Sequence, residues 1–348
     1  MFIKRIIATL TTTLLFLSIL KADIDSSFYD IKITIKGFKC QKALLGYYYG
    51  DETYVVDSAK VDSITGFMRF TRYNRLNEGM YFIANTEGVV LDFIVNGWKD
   101  FSIKTDINAL IDSAEISRSE ENKQYFNYLK SIRKIEKQLS ELPKTSETIS
   151  NEDVKIYFRQ QQSLENLNSF YIKKYPDLFF VKTLASLLPK NTQLSISPIL
   201  NNSKLYNRTI NNTPQYLENT SYHFWDNFDF RDTRLLRSKV YVLKLSQYVI
   251  EIMPKDSDSI RHYCDILLTR AKVNLAYYQF TLKWLTKQFE SKMPLKKADL
   301  AFVYLVENYH HRTESGTSKV ALQSLDSKVK IYKKGLNKKV DDEKEYRE

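Results

Sequence analysis

The sequence predicts an α+β protein in two parts: an N-terminal antiparallel β-sandwich or small barrel, followed by an all-α bundle or paired-helix domain. Three observations predict it. Apolar and polar residues alternate up to about residue 106, the side-chain period of a strand with one wet face. From residue 117 apolar residues recur three or four apart, the period of a helix with one buried stripe. Ahead of both lies an apolar leader. The 348 residues thereby divide into a signal peptide over 1–22, a β domain over 27–107, a helical domain over 114–332 and a charged tail over 333–348.

The leader opens with Lys4 and Arg5 and continues through an uncharged apolar run over 6–20. Leu20-Lys21-Ala22 puts a small residue before Asp23, as at a secretory cleavage site. The run is short for a membrane span, which needs about 20 apolar residues. No cysteine follows it, so a lipoprotein anchor is not expected. The expectation is a protein exported from the cytoplasm, with no stable membrane span after cleavage. Retention as an uncleaved anchor is the lesser reading.

In the β domain, Ile31, Ile33 and Ile35 alternate with Lys32, Thr34 and Lys36 until Gly37 ends the strand. Strands over 44–49 and 53–59 follow, split by Gly50-Asp51. Ser63-Ile64-Thr65-Gly66 reads as a turn before a strand over 67–70. Gly79 opens a strand over 80–84, and another over 89–95 closes at the turn dipeptide Asn96-Gly97. Phe101, Ile103 and Thr105 complete a set of roughly seven short strands. The run Tyr47-Tyr48-Tyr49 offers rings to a ligand, but alternation turns at least one of them inward, which favours a core or edge role.

In the helical domain, Ser117-Arg118-Ser119-Glu120 fits a capping box, and Tyr125, Leu129, Ile132, Ile135, Leu139 and Leu142 form one stripe that Pro143 closes. Val154, Phe158, Leu164, Leu167 and Phe170 mark a second helix, which Pro176 breaks. A third spans 178–188 and ends at Pro189. Residues 190–222 are rich in Asn, Ser and Thr and read as a long connection, with triplets such as Asn207-Arg208-Thr209 that matter only in a glycosylating host. Helical pattern returns over 234–253 and stops at Pro254. Asp256, Ser257 and Asp258 offer caps to a helix carrying Ile260, Ile266, Leu267, Ala271 and Leu275. Pro294 starts another, and 320–332 is a last amphipathic stretch before a tail expected to fray.

Composition narrows the chemistry. Lys and Arg number 52 against 41 Asp and Glu, but they are spread and often stand beside acids, as in Lys296-Lys297-Ala298-Asp299. That pattern favours a solvated surface over a nucleic-acid face. Glycine is scarce, at 9 residues, and neither a phosphate loop nor a dinucleotide fingerprint is present. No cofactor is expected. The two cysteines, Cys40 and Cys264, form no C-x-x-C pair, and two separately buried thiols are favoured over a disulfide between them.

One segment is dense in chemistry: His223-Phe224-Trp225-Asp226-Asn227-Phe228-Asp229-Phe230-Arg231-Asp232. Metal ligands must converge, and on a regular helix His223, Asp226, Asp229 and Asp232 would share a face among rings, where a charged row is costly unless paired. Arg231 and Arg234 are near enough to pair with them. His223, Trp225, Asp226, Asp229, Asp232 and Arg234 are therefore the candidate partner-binding or structural cluster, with packing around aromatic anchors favoured over metal binding or catalysis. His310-His311 beside Arg312 suits a helix end. Adjacent helical residues point too far apart to share a metal. His262 shows no partner.

Certain stretches resemble a known family. Asp57-Ser58-Ala59-Lys60-Val61-Asp62, Thr65-Gly66-Phe67 and Glu78-Gly79-Met80-Tyr81 resemble the N-terminal β domain of exported thioredoxin-like thiol–disulfide oxidoreductases of Gram-negative bacteria. Asp177-Leu178-Phe179-Phe180, the His223-to-Phe230 segment, Asp232, Arg234-Leu235-Leu236, Asp258-Ser259-Ile260 and Val306-Glu307-Asn308-Tyr309 resemble the helical domain of unknown function that precedes their thioredoxin domain. The resemblance implies an accessory region, periplasmic or otherwise exported in a Gram-negative envelope. The family's redox chemistry belongs to a C-x-x-C pair that has no counterpart here, so no catalytic residue carries over.

The expectation is an exported non-catalytic module that binds or positions a partner. That partner is another envelope protein, with a thioredoxin-like redox protein as one candidate. The alternatives are the truncated front of such an oxidoreductase, and an envelope carbohydrate- or peptide-binding protein or hydrolase using the Asp-rich segment.

Overall fold

The computed structural model describes residues 28–73, 75–97, 99–143, 150–188, 223–254, 256–290 and 298–345. The leader, the 190–222 connection with its Asn207 triplet, and Pro294 lie outside them. By their contacts the described residues form two compact units, one of 28–188 with Arg237–Lys239, the other of 223–236 with 240–345.

The first unit carries eight strands: β1 Tyr29–Lys36, β2 Lys42–Tyr49, β3 Glu52–Lys60, β4 Phe67–Arg72, β5 Gly79–Asn85, β6 Gly88–Val95, β7 Asp100–Asp106 and β8 Glu115–Ser117. They form two four-stranded sheets, in the orders β4-β1-β7-β8 and β3-β2-β5-β6. Alternation builds the core as expected: Ile31, Ile33 and Ile35 of β1, Ala43 and Leu45 of β2, Tyr81 and Ile83 of β5, Phe93 of β6 and Ile103 of β7 share one buried cluster. Five of the six pairings are antiparallel, and β1 with β7 is parallel, Ile31 opposite Phe101. A parallel pair needs a long crossover, and here β2 to β6 supply it. The short β8 was not anticipated; it pairs with β7 from Ser102 opposite Ser117 to Lys104 opposite Glu115.

The same unit holds three helices, α1 Glu120–Ser140, α2 Asn151–Lys174 and α3 Phe179–Leu187. The change of period near residue 117 thus marks a change of secondary structure inside one unit. Ser119, not Ser117, caps α1, its hydroxyl accepting from the Asn122 amide at 3.2 Å. Arg118 takes a positive φ of 65° just before it, and Ser117 remains in β8. On α2, Val154, Phe158 and Phe170 are exposed, while Gln160, Leu164, Asn168 and Tyr171 are buried. The expected stripe is therefore rotated: Tyr128 of α1 donates to the Asn168 amide oxygen at 2.9 Å and draws that face inward.

Two buried polar side chains join α1 to its surroundings. The Asn122 amide accepts from the Ile94 N–H at 2.8 Å and donates to the Ile94 carbonyl at 2.7 Å, completing the outer edge of β6 as a neighbouring strand would. Glu121 accepts from the Phe179 and Phe180 N–H groups, each at 2.9 Å, and from Asn96 at 2.7 Å. It supplies the N-terminal cap that Leu178 cannot.

The second unit carries a 3₁₀ turn at Thr233–Arg237 up to its last residue but one, then α4 Val240–Gln247, continued by a π turn Tyr248–Ile252. After them come α5 Ser257–Ala271, α6 Leu275–Glu290, α7 Ala298–Leu305 with a π turn Val306–His310, and α8 Lys319–Glu345. Asp256 caps α5 as expected, accepting from the Ser259 N–H at 2.9 Å. α5 and α6 are separate helices: the Lys272 N–H caps α5 on the Leu268 carbonyl, and Asn274 Oδ1 accepts from Ala276 N at the start of α6. α8 runs through the stretch expected to fray, as far as Glu345.

Candidate functional site

The dense segment folds as successive turns rather than a regular helix. Asp226 N donates to the His223 carbonyl, Phe228 N to Trp225, Asp232 N to Asp229 and Leu235 N to Asp232, all within 3.0 to 3.1 Å. The aspartates cause this locally. Asp229 Oδ1 accepts from Arg231 N at 2.9 Å and Asp232 Oδ1 from Arg234 N at 3.1 Å, so each carboxylate offers the backbone an alternative to helical bonding. The row of four side chains that a regular helix would have put on one face is accordingly absent.

Each candidate residue has an assigned place. Trp225 is buried against the rings of Phe224, Phe228, Phe230, Tyr241 and Tyr248, with centroids 5.2 to 6.0 Å away. Asp232 forms a two-point ion pair with Arg234, at 2.8 and 2.6 Å. Its carbonyl also accepts from the Tyr277 hydroxyl at 2.6 Å. Asp226 pairs with His223 Nδ1 at 2.7 Å and with Arg270 Nη1 at 3.2 Å. Burial pushes the Asp226 carboxyl up, but the hydrogen bonds and charges of His223 and Arg270 outweigh it and hold the group below its ordinary value. Arg270 lies on α5, distant in sequence, and reasoning along the chain missed it.

Two further residues complete the neighbourhood, Lys244 and Tyr248, four apart on the face of α4 and its π turn. Lys244 is only 2% exposed. Its ammonium lies over the rings of Phe224, at 4.3 Å, and Trp225, at 5.6 Å. Burial pushes it down to about 7, with the Asp226 charge opposing. The Tyr248 hydroxyl is pushed up by burial first. The Trp225 indole lies close enough to offset part of that push, yet neither Trp225 Nε1 nor Tyr248 Oη has a hydrogen-bond partner. The signal in the sequence was a lone lysine inside Val240-Tyr241-Val242-Leu243-Lys244-Leu245.

The other histidines are structural. His310 is buried, with Thr286 at 2.8 Å on Nε2 and Thr317 at 2.7 Å on Nδ1; burial, then the charge of His311, lowers it to about 4. His311 is exposed and lies 3.0 Å from Asp326. Among the described residues no three His, Cys, Asp or Glu side chains converge as metal ligands. Cys264 is a fully buried free thiol, pushed up by burial, and Cys40 is a half-buried one whose Sγ donates to the Lys42 carbonyl at 2.9 Å.

The first unit offers a different feature, the edge strand β3. Glu52 to Val56 are all exposed, among them Tyr54 at 41% and Val55 at 58%. Val56 is the extra residue of a bulge, because Gly46 of β2 pairs with Val55 and Leu45 with Asp57. The Tyr run divides as expected: Tyr48 is buried and donates to Asp92 at 2.6 Å. Tyr47 stacks on Tyr54 at 5.3 Å and lies under the Arg237 guanidinium at 4.0 Å.

A family described as a domain of unknown function (DUF5106) matches residues 205–330. The matched span takes in the Trp225 cluster, Lys244 and α4 to α7. No curated protein matches the chain. No described helix is long and apolar enough to cross a membrane.

Proposed function

We propose that the chain is an exported, non-catalytic module that binds or positions a partner in the cell envelope, a thioredoxin-like redox protein being the candidate. The observation that carries this reading is the β3 edge. An edge strand, paired with β2 on one side only and with exposed apolar side chains at Tyr54 and Val55, is a template on which an extended segment of another protein adds a strand. The thiols support it too. Cys264 is held inert by burial, and Cys40 has no second cysteine in its unit. The carboxylates of the dense segment are engaged by Arg234, Arg270, His223 and the backbone, which supports a structural role for them over the hydrolase reading.

Titration calorimetry against a purified envelope thioredoxin-like protein tests the reading. Saturable binding that Val55→Lys abolishes, with unchanged thermal stability, is the expected result. Sustained insulin-disulfide reduction by the purified chain alone overturns the non-catalytic part. Fractionation tests export, with a mature chain beginning at Asp23 in the periplasmic fraction as the expected outcome.

A further inference from the structure

Two fully buried hydrogen-bond donors without a partner lie beside a buried lysine in the second unit. Trp225 Nε1 and Tyr248 Oη are fully buried without a partner. Lys244 Nζ has ring faces around it but neither a hydrogen bond nor an ion pair among the described residues. A buried donor left unpaired is destabilising, and an unpaired ammonium more so. Two such donors beside a buried ammonium require an explanation. Asp226 does not supply it, because its hydrogen bonds run to His223 and Arg270 and none runs to these three groups. With Asp226 and Arg270 cancelling, Lys244 leaves the site one positive charge in excess when protonated.

We propose that Lys244, Tyr248 and Trp225 form a binding site for the carboxylate of a small ligand with an apolar body. A carboxylate is acceptor-only and has lone pairs enough for all three donors. Its negative charge balances the ammonium, and the hydrogen bonds it accepts from Lys244 are charge-assisted. The Phe224 and Trp225 faces suit a hydrocarbon or ring body attached to it. Phe224 lies 5.4 Å from the Tyr248 ring and covers both donor residues of the helix. This site does not involve β3 and stands or falls apart from the partner-binding reading.

Binding of an anion favours the charged amine, so affinity couples to pH. The charge that acts on Lys244 is that of Asp226 in the turn segment, which is itself paired with His223 and with Arg270 of α5; Tyr248 lies one turn on along its own helix. Since the free amine titrates at about 7, binding weakens about fivefold from pH 7 to pH 8 and about half a proton is taken up per ligand at pH 7. His223→Gln leaves that dependence in place.

The full chain is titrated with benzoate while the Trp225 indole N–H is followed by nuclear magnetic resonance. Saturable movement of that resonance is expected. Tyr248→Phe should weaken binding severalfold and Lys244→Met should abolish it. Inorganic phosphate, which lacks the apolar body, should not compete. Absence of saturation overturns the proposal, as does undiminished binding by Lys244→Met or equal affinity for phosphate. Calorimetry of the unmodified chain in buffers of different ionisation enthalpy reads proton uptake without any variant, and zero uptake at pH 7 also overturns it.

Discussion

Asn122 is fully buried and uncharged because its amide completes both polar valences of Ile94. Asn122→Ala strands an N–H and a carbonyl at once and should destabilise the first unit by about 2–4 kcal/mol in urea unfolding. Glu121→Ala should cost a similar amount, since it uncaps α3 at Phe179 and Phe180 and releases Asn96. Lys244 makes the opposite case. Its amine sits at about 7 in the folded chain, far below the ordinary lysine value of 10.5. Between these pH values the unfolded chain holds more protons than the folded one, so stability rises with pH. The difference in unfolding free energy between wild type and Lys244→Met should therefore change by up to about 1.4 kcal/mol per pH unit from pH 7.5 to 9.5, in favour of wild type as pH rises. A flat difference would mean that the amine is solvated.

Turns and helix ends carry the element-scale effects. Gly66 closes the turn before β4 with φ of 72°, and a Cβ there would overlap the Ile35 carbonyl oxygen. Backbone strain and steric overlap act together, and Gly66→Ala should lower stability by about 3 kcal/mol or more, or prevent folding. His310 pins the end of the π turn after α7 to Thr286 and Thr317 while neutral. Its folded value of about 4 lies below the ordinary 6.5, so its stabilising contribution is present above pH 6.5 and lost as pH falls toward 4. His310→Gln should flatten the acid limb of the stability profile over that window, measured by thermal melts. The same reasoning explains the dense segment. Helical pattern was readable only from residue 234; ahead of it the Asx turns at Asp229 and Asp232 compete with helix, and a periodicity argument contains no term for that competition.

At the scale of the whole chain, thiol chemistry gives a direct check. Cys40 should react with a thiol reagent in the native protein and Cys264 only after denaturation, with no change in thermal stability on adding reductant. Strand alternation and helix periodicity made the α+β division and seven of the strands legible, because burial of one face imposes a period on the residues that form it. The aromatic anchor Trp225 and the Asp232–Arg234 pair were legible for the same local reason. The parallel register of β1 on β7, the Arg270–Asp226 pair and the isolation of Lys244 were not, since each depends on residues far apart in sequence. The sequence by itself determined the elements and which faces they bury. Only the tertiary structure decided which buried polar groups find partners, because partnership is a property of space that no local pattern encodes.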